Sequence, residues 1–479
     1  MLFNSFEFAV FFPVVTLLYF ATRAGRRWIV LLIASAVFYM TFIPAYLLIL
    51  LALIVIDYAA ALLIERSSGP SRRRLLFVSV AANIGILSAF KYYNFFATNI
   101  AGLAGAMGYP PATLPLLSWV LPIGLSFHTF QSMAYTIEVY RGRFRAERHL
   151  GYYALYVMYY PQLVAGPIER PYNLLPQLRR EQVIEPTRIA SGLKLMAWGL
   201  FKKVVIADRL AFVVNAVYAQ PSSANGAALI VATVSFAWQI YCDFSGYTDI
   251  AIGAAEVMGV DLMSNFRRPY LATSTRDFWT RWHVSLSSWF RDYVYIPLGG
   301  SHLSRPRWAL TLMTTFLISG LWHGANWTFV VWGALNGAFV LIGAITAGTR
   351  SRVRAVCGFD EATSLHRIVK VAVTFSLITT TWIFFRAKSV AEAWYILTHL
   401  LSGRGETIQA LGVPTTQLVV SFMLIAGLLV IETFQTTNDP REYVIGRPPW
   451  VRWAVYYSVV VLTLLIGVFN RSQFIYFQF

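Results

Sequence analysis

The sequence predicts an all-α, polytopic membrane protein with about eleven to twelve transmembrane helices. Hydrophobic residues make up 57% of the 479 residues and charged residues only 13%, and the mean hydropathy is +0.58. The apolar residues form long unbroken runs, whereas the strands of a transmembrane barrel alternate over short segments. Helices satisfy their own backbone hydrogen bonds in lipid. A water-soluble enzyme, a disordered chain and a fibrous chain are excluded, because soluble domains carry about 25% charged residues.

The chain is strongly basic, with 39 Lys and Arg against 22 Asp and Glu and a net charge of +17. The basic residues are scattered between apolar runs, which favours contact with anionic lipid headgroups and disfavours nucleic-acid binding. Cys242 and Cys357 are the only cysteines, so neither a disulfide framework nor a zinc site is predicted.

The predicted spans begin with the N-terminal apolar run, which is followed rather than preceded by Arg23, Arg26 and Arg27. That order is the reverse of a signal peptide, so we expect a retained first helix. Later arginine clusters at 66–74 and 141–148 fall on the same side by this count, as the positive-inside rule requires. The charge-free stretch 92–137 predicts an outer loop and a returning helix. The further predicted spans are 28–43, 46–64, 75–90, 119–140, 192–218, 227–260, 308–320, 325–347, 369–385, 417–434 and 453–469.

Two segments are predicted to behave differently. Residues 151–168 lie between basic stretches and contain Pro161 and Pro167, so they form either a re-entrant element or a span with a proline kink. Residues 261–307 carry seven arginines and nine aromatic residues, a composition typical of a segment in the membrane interface or in a cavity. Without an internal repeat or a large polar block, residues 1–479 are interpreted as a single domain.

Three of the seven histidines stand in apolar or aromatic surroundings. His323, in GLWHGANW, is an ionisable group within an apolar run; it is either a proton-transfer group or a histidine that joins helices by a hydrogen bond. His283, in TRWHVSLS, is either an interfacial histidine or a group at the cytosolic mouth of a cavity. For His128, a polar packing role is favoured.

Asp243, Ser245 and Asp249 interrupt another apolar run. Two carboxylates at membrane depth need partners, and they are predicted either to line a polar cavity or to pair with arginines. A structural role for them is as well supported as a catalytic one. The sequence contains no metal-binding HExxH, nucleophile elbow, P-loop or dinucleotide fingerprint, so neither a metal site nor a covalent serine intermediate is predicted.

Several longer segments together resemble a known family. DFWTRWHVSLSSWFRDYVYIPLGG and GLWHGANWTFVVWG are similar to the signature pair of the membrane-bound O-acyltransferase family, within its bacterial alginate O-acetylation branch. The resemblance extends to FHTFQSMAYTIEVYRG, YYPQLVAGPIERP, YCDFSGYTDIAIG and the terminal FIYFQF.

The resemblance implies a ring of transmembrane helices around a central tunnel, with re-entrant and interfacial helices, in the bacterial inner membrane. His323 corresponds to the family's buried histidine and His283 to its second, cytosolic-side histidine. Acetyl-CoA is the implied cytosolic donor, with no permanently bound cofactor. The implied partner is an extracytoplasmic SGNH hydrolase-like acetyltransferase, which esterifies a polysaccharide of the alginate type.

On this basis His323 is the predicted general base, and His283 is predicted to orient the donor or relay a proton. The basic residues expected to anchor the donor phosphates are Arg267, Arg268, Arg276, Arg281 and Arg291. Further candidate substrate-binding residues are Arg281, Trp282, Ser285, Arg291, Asp292, Trp322, Asn326, Asp243 and Ser245. The alternatives are O-acetylation of peptidoglycan or cellulose by the same chemistry, and a transporter or flippase of lipid-linked sugars.

Overall fold

The part of the chain that the structure describes is mainly helical. The computed structural model describes residues 1–109, 115–164, 166–357, 363–435, 439–469 and 474–475. Within these ranges the only β-type pairing is one isolated bridge between Ala224 and Glu406. The predicted all-α class is confirmed.

The described helices are numbered here in chain order. The first eleven are α1 (Phe6–Ala21), α2 (Arg27–Met40), α3 (Tyr46–Arg66), α4 (Gly69–Lys91), α5 (Tyr93–Ala106), α6 (Leu125–Tyr140), α7 (Leu150–Met158), α8 (Tyr160–Leu163), α9 (Pro171–Arg179), α10 (Pro186–Phe201) and α11 (Asp208–Tyr218). The others are α12 (Gly226–Val257), α13 (Thr275–Arg281), α14 (Val284–Phe290), α15 (Arg305–His323), α16 (Trp327–Ile345), α17 (Ala347–Cys357), α18 (Ser364–Arg386), α19 (Val390–His399), α20 (Thr415–Phe434), α21 (Pro440–Ile445) and α22 (Pro449–Ile466). Lys202–Ala207 and Arg291–Tyr295 form π-helical turns.

Seven described helices are long and apolar enough to cross a membrane, namely α3, α4, α12, α16, α18, α20 and α22. The chain is therefore a multi-pass membrane protein, but this number is lower than the eleven or twelve spans predicted. The difference arises because the other predicted spans lie on helices that are shorter or less apolar. Predicted span 192–218 lies in one continuous helical run of residues 186–218, which is formed by α10, a π-helical turn and α11. Helices α1 and α6 have 16 residues each, about 24 Å, against a hydrocarbon core of about 30 Å.

The two segments predicted to behave differently contain only short helices. Residues 151–168 hold α7, with nine residues, and α8, with four. Neither is long enough to cross, which favours the re-entrant interpretation over the kinked span. In residues 261–307, α13 and α14 have seven residues each, in agreement with a segment that does not cross. Helix α5 lies where only a loop was predicted.

Backbone contacts divide the chain into two compact units, residues 1–196 with 250–263 and residues 197–249 with 264–479. In the first unit, the buried Asp57 of α3 accepts hydrogen bonds from Ser79 (2.6 Å) and Asn83 (2.9 Å) of α4. In the second unit, α15 and α16 form a closely packed hairpin. The single-domain interpretation stays a prediction.

Candidate active site

His323 is the last residue of α15, at the tight connection to α16. Two glycines allow these helices to approach closely: a Cβ on Gly320 would lie 2.3 Å from the carbonyl oxygen of Phe329, and one on Gly324 would lie 2.1 Å from the Phe329 ring. Small residues of this kind permit close helix contact in membrane proteins. The local sequence GLWHG therefore fixes the position of the imidazole between two helices.

Aromatic rings surround the His323 imidazole. The ring centroids of Trp322 and Trp332 each lie 4.9 Å from that of His323, and the centroid of Phe385 on α18 lies 5.4 Å away. The His323 side chain is only 5% exposed. An apolar enclosure of this kind strengthens electrostatic interactions with any reacting group that enters it.

His283 lies in the bend between α13 and α14. Its backbone is left-handed, with φ +44°, and Arg268 is the only other non-glycine residue with positive φ in the described chain. The bend is held by Asn265, whose carbonyl and side-chain oxygens accept hydrogen bonds from the amides of Val284 (3.0 Å) and Ser285 (3.1 Å). Unusual backbone conformations of this kind cluster at functional sites.

The His283 imidazole is completely buried. Its ring centroid is 4.7 Å from that of Phe244 and 6.3 Å from that of Trp322. His283 lies outside the long apolar helices, and burial lowers its pKa, because desolvation penalises the charged imidazolium. The ring is therefore neutral near pH 7, with a nitrogen that can accept a hydrogen bond.

Trp322 brings the two histidines into one group, since its ring contacts both. We call His283, Trp322, His323, Trp332 and Phe385 the histidine cluster. Thus the structure places the two predicted catalytic histidines and one predicted substrate-binding residue together, although His283 and His323 are 40 positions apart in the sequence.

Trp282 supports the histidine cluster from beside it. Its ring stacks on that of Phe278 at 5.4 Å and contacts that of Trp382 at 5.1 Å. The Trp382 ring in turn stacks on Trp332 at 5.9 Å. Trp282 is therefore one ring removed from the cluster, and its observed role is packing.

Asp243 and Ser245 contact lysines rather than the histidines. The carboxylate of Asp243 lies 2.7 Å from Lys203 Nζ, and the hydroxyl of Ser245 accepts a hydrogen bond of 2.9 Å from Lys202. Lys202 also pairs with Asp249 at 2.7 Å. The prediction that these carboxylates pair with arginines was wrong. The two aspartates of α12 pair instead with the consecutive lysines of the preceding π-helical turn.

The other candidate substrate-binding residues are dispersed. Arg281 pairs with Asp277 at 2.8 Å, and the exposed Arg291 pairs with Asp292 at 2.8 Å. Asn326 caps α16: its side-chain oxygen accepts a hydrogen bond from the Thr328 amide at 3.0 Å. The buried Ser285 hydroxyl has no hydrogen-bond partner among the described residues, so it is available to a ligand.

A cavity of about 480 Å³ lies in the same unit, and Trp279 in its lining contacts Trp332 of the histidine cluster at 5.6 Å. Its polar rim includes Arg276, Arg291 and Arg305, all exposed. Its interior is apolar and aromatic. The lining includes Trp279, Leu286, Phe290, Trp308, Leu312, Phe316, Ser319, Val340 and Ala344. Ligand sites are commonly apolar cavities of about 300–1,000 Å³ with a few polar groups.

Several contributors to the site were not predictable from the sequence. Phe385 and Trp382 come from α18, more than fifty residues beyond His323, and no spacing links them to it. The contact of Phe244 with His283 was not predicted, because Phe244 lies between Asp243 and Ser245, which were the candidate site residues of that segment. Lys202 and Lys203 could have been found, because charged residues in an apolar run require partners of opposite charge.

Comparison with known proteins identifies the family. A sequence profile of the membrane-bound O-acyltransferase family matches residues 141–390, which include the whole histidine cluster. The chain belongs to the membrane-bound O-acyltransferase family. It is accordingly an O-acyltransferase, and the sequence-based recognition of the family is confirmed.

Proteins similar in sequence to this chain have names that describe acyl transfer. A probable alginate O-acetylase AlgI of Pseudomonas aeruginosa is 36% identical over 402 residues, covering 83% of this chain and 74% of the relative. A peptidoglycan O-acetyltransferase of Helicobacter pylori is 32% identical over 535 residues, covering 100% and 98%. A teichoic acid D-alanyltransferase of Bacillus subtilis is 25% identical over 246 residues, covering 49% and 62%.

Proposed function

We propose that this O-acyltransferase takes an acetyl group from cytosolic acetyl-CoA and delivers it, through a partner protein, to hydroxyl groups of an extracytoplasmic polysaccharide. The observation that carries the proposal is the histidine cluster, with two buried imidazoles on either side of Trp322. The names of the alginate and peptidoglycan relatives support an acetyl group and a polysaccharide acceptor.

In the proposed reaction, His323 acts as general base on the incoming hydroxyl. As it removes the proton, the hydroxyl oxygen attacks the thioester carbonyl of acetyl-CoA, so a C–O bond forms and the C–S bond breaks. The proton then passes from His323 to the departing thiolate, which leaves as CoA. General-base assistance of this type contributes about 10² to 10⁴ in rate.

His283 and Ser285 are assigned supporting roles in the same step. His283, which is neutral at rest, can relay a proton by accepting it at one ring nitrogen while releasing one from the other. The Ser285 hydroxyl, close to it on α14, can donate a hydrogen bond to the carbonyl oxygen as negative charge develops. The exposed arginines at the rim of the cavity, Arg276 and Arg291, are positioned to bind donor phosphates.

The acceptor that we favour is an alginate-type exopolysaccharide, since several alginate O-acetylases of pseudomonads are 32–36% identical to this chain. Peptidoglycan is the second candidate, because the Helicobacter relative matches over the full length of both chains. We place the enzyme in the bacterial inner membrane, where a donor in the cytosol and an acceptor outside it can both be reached. The partner that we propose is an SGNH hydrolase-like acetyltransferase.

Mass spectrometry of surface polymers tests this proposal. Cells that lack the protein should lose O-acetyl esters from one polysaccharide, and the intact chain should restore them. His323→Ala should insert in the membrane at the normal level and restore nothing. The proposal fails if the deletion leaves every surface polymer acetylated as before, or if labelled acetyl-CoA does not supply the esters. A flippase of lipid-linked sugars would instead change the amount of polymer and leave its acetylation unchanged.

A further inference from the structure

The distribution of charged and apolar residues around the cavity matches that of an acyl-CoA. This inference rests on the proposed function. The rim of the cavity carries exposed arginines, including Arg276 and Arg305, while its interior is apolar and aromatic. An anionic head followed by a long uncharged arm matches that division. Its volume of about 480 Å³ is within the usual range for a small-molecule site.

The lining of the cavity follows one face of α15 in the direction of His323. Helix α15 contributes Leu312, Phe316 and Ser319 to the lining, at the spacing of three and four residues that places side chains on one helical face. His323 is four residues beyond Ser319 and therefore on the same face, about 6 Å further along the helix. Ser319 in the cavity lining is thus about one helical turn from the proposed general base.

Trp279 is a second link between the cavity and the histidine cluster. It lines the cavity, and its ring centroid is 5.6 Å from that of Phe316. It also contacts Trp332 edge-on, at 5.6 Å and 83°, and the Trp332 ring lies 4.9 Å from that of His323. The Trp279 side chain therefore lies between the cavity and Trp332 of the histidine cluster.

The position of Trp279 is fixed by its short helix. The Ser274 hydroxyl caps α13 by accepting a hydrogen bond of 3.1 Å from the Asp277 amide. The neighbouring Phe278 is buried and stacks on Trp282, with an interplanar angle of 18°. Because its helix is capped and its neighbour Phe278 is packed against Trp282, the Trp279 side chain presents a defined surface to the cavity.

We propose that Trp279 is the specificity-determining residue that limits the transferred group to acetyl. The indole occupies the space next to Trp332 that the distal carbons of a longer acyl group would need. Each methylene that a hydrophobic site fails to accommodate costs about 10–200-fold in specificity. Butyryl and hexanoyl thioesters should therefore be poor donors for the natural enzyme, although their CoA portions are identical.

The test compares donors of different chain length. Inverted membrane vesicles are prepared from the native cell, in which the natural protein is replaced by each full-length variant. CoA release and label transfer are then measured with acetyl-, butyryl- and hexanoyl-CoA. In Trp279→Leu, the ratio of butyryl to acetyl turnover should rise about tenfold or more. Trp238→Leu is the control, since Trp238 is a buried tryptophan of the same unit that does not line the cavity.

Each outcome decides the inference. A raised butyryl-to-acetyl ratio in Trp279→Leu, with an unchanged ratio in Trp238→Leu, supports it. Equal loss of turnover for all three donors in Trp279→Leu contradicts it and leaves the proposed function intact. Should the Leu variant fail to accumulate, Trp279→Phe gives the decision, with a smaller rise of the same ratio expected. If the natural enzyme uses none of the three donors, the proposed function itself fails and the inference with it.

Discussion

His128 and His323 are both almost completely buried, with exposures of 2% and 5%, yet their surroundings differ in kind. His128, in α6, donates a hydrogen bond of 2.7 Å from Nε2 to the Leu163 carbonyl oxygen. Gly124, whose Cβ would lie 2.6 Å from that same oxygen, allows the close approach. His323 instead lies among aromatic rings beside a cavity. The comparison teaches that burial alone does not mark a reactive histidine; the neighbours of the ring do.

The largest expected effect separates these two histidines by function. His323→Ala should lower acyl transfer by about 10² to 10⁴, because it removes the proposed general base. His128→Ala should keep most of the activity of the folded enzyme and lose about 1–3 kcal/mol of stability, since it leaves the buried Leu163 carbonyl without its donor. Ester formation per folded protein, measured for both variants, checks the contrast. Similar specific activities in the two variants would refute it.

A second prediction concerns pH and uses His283. Burial lowers the pKa of this imidazole in the folded state, so the unfolded chain takes up a proton below about pH 6.5 while the folded chain does not. The folded state should therefore lose about 1.4 kcal/mol per pH unit as the pH falls below that value, about 2 kcal/mol at pH 5.

His283→Asn removes this proton uptake and keeps a residue that tolerates positive φ. The fall in melting temperature of the detergent-solubilised protein between pH 7.5 and pH 5 should be smaller in this variant than in the natural protein. An identical fall in both proteins would show that the His283 imidazole is accessible to protons in the folded state.

The third prediction tests the close packing that holds His323. Gly320→Ala would place a Cβ 2.3 Å from a backbone oxygen of α16, so the helices must separate, at a cost of about 1–3 kcal/mol. Gly343→Ala is the matched control on α16, because its Cβ would meet nothing nearer than 3.9 Å. Thermal unfolding should show a lower midpoint for Gly320→Ala only. Equal midpoints would mean that the hairpin can relax around the added methyl group.

The smallest expected effect concerns Asn326. Its side chain caps α16 and also donates to the Lys388 carbonyl at 3.2 Å. Asn326→Ala should therefore cost about 0.5–2 kcal/mol of stability, and Asn326→Asp should recover most of it. Turnover per folded protein should be unchanged in Asn326→Asp. A large loss of turnover in both variants would instead assign Asn326 a direct contact with the reacting group.

The sequence was sufficient for the fold class and for the family, whereas the catalytic roles of His323 and His283 stay predictions. Long apolar runs require helices in lipid, and the WH motifs specified the family. Hydropathy did not reveal that the apolar run 192–218 contains the π-helical turn Lys202–Ala207, nor which seven of the described helices are long and apolar enough to cross a membrane. The left-handed conformation of His283 and the contact of Phe385 with His323 were not predictable, because both depend on tertiary packing between segments distant in the chain.

The ion pairs between Lys202 and Lys203 and the aspartates of α12 also bear on how the chain enters the membrane. A lysine or aspartate alone at the centre of an inserting helix costs about 2.5–3.5 kcal/mol in the translocon. Lys202 and Lys203 precede α12, whereas Asp243 and Asp249 are within it. These two hydrophobic segments therefore reach their lowest free energy only as a pair. We expect them to leave the insertion machinery together rather than one after the other.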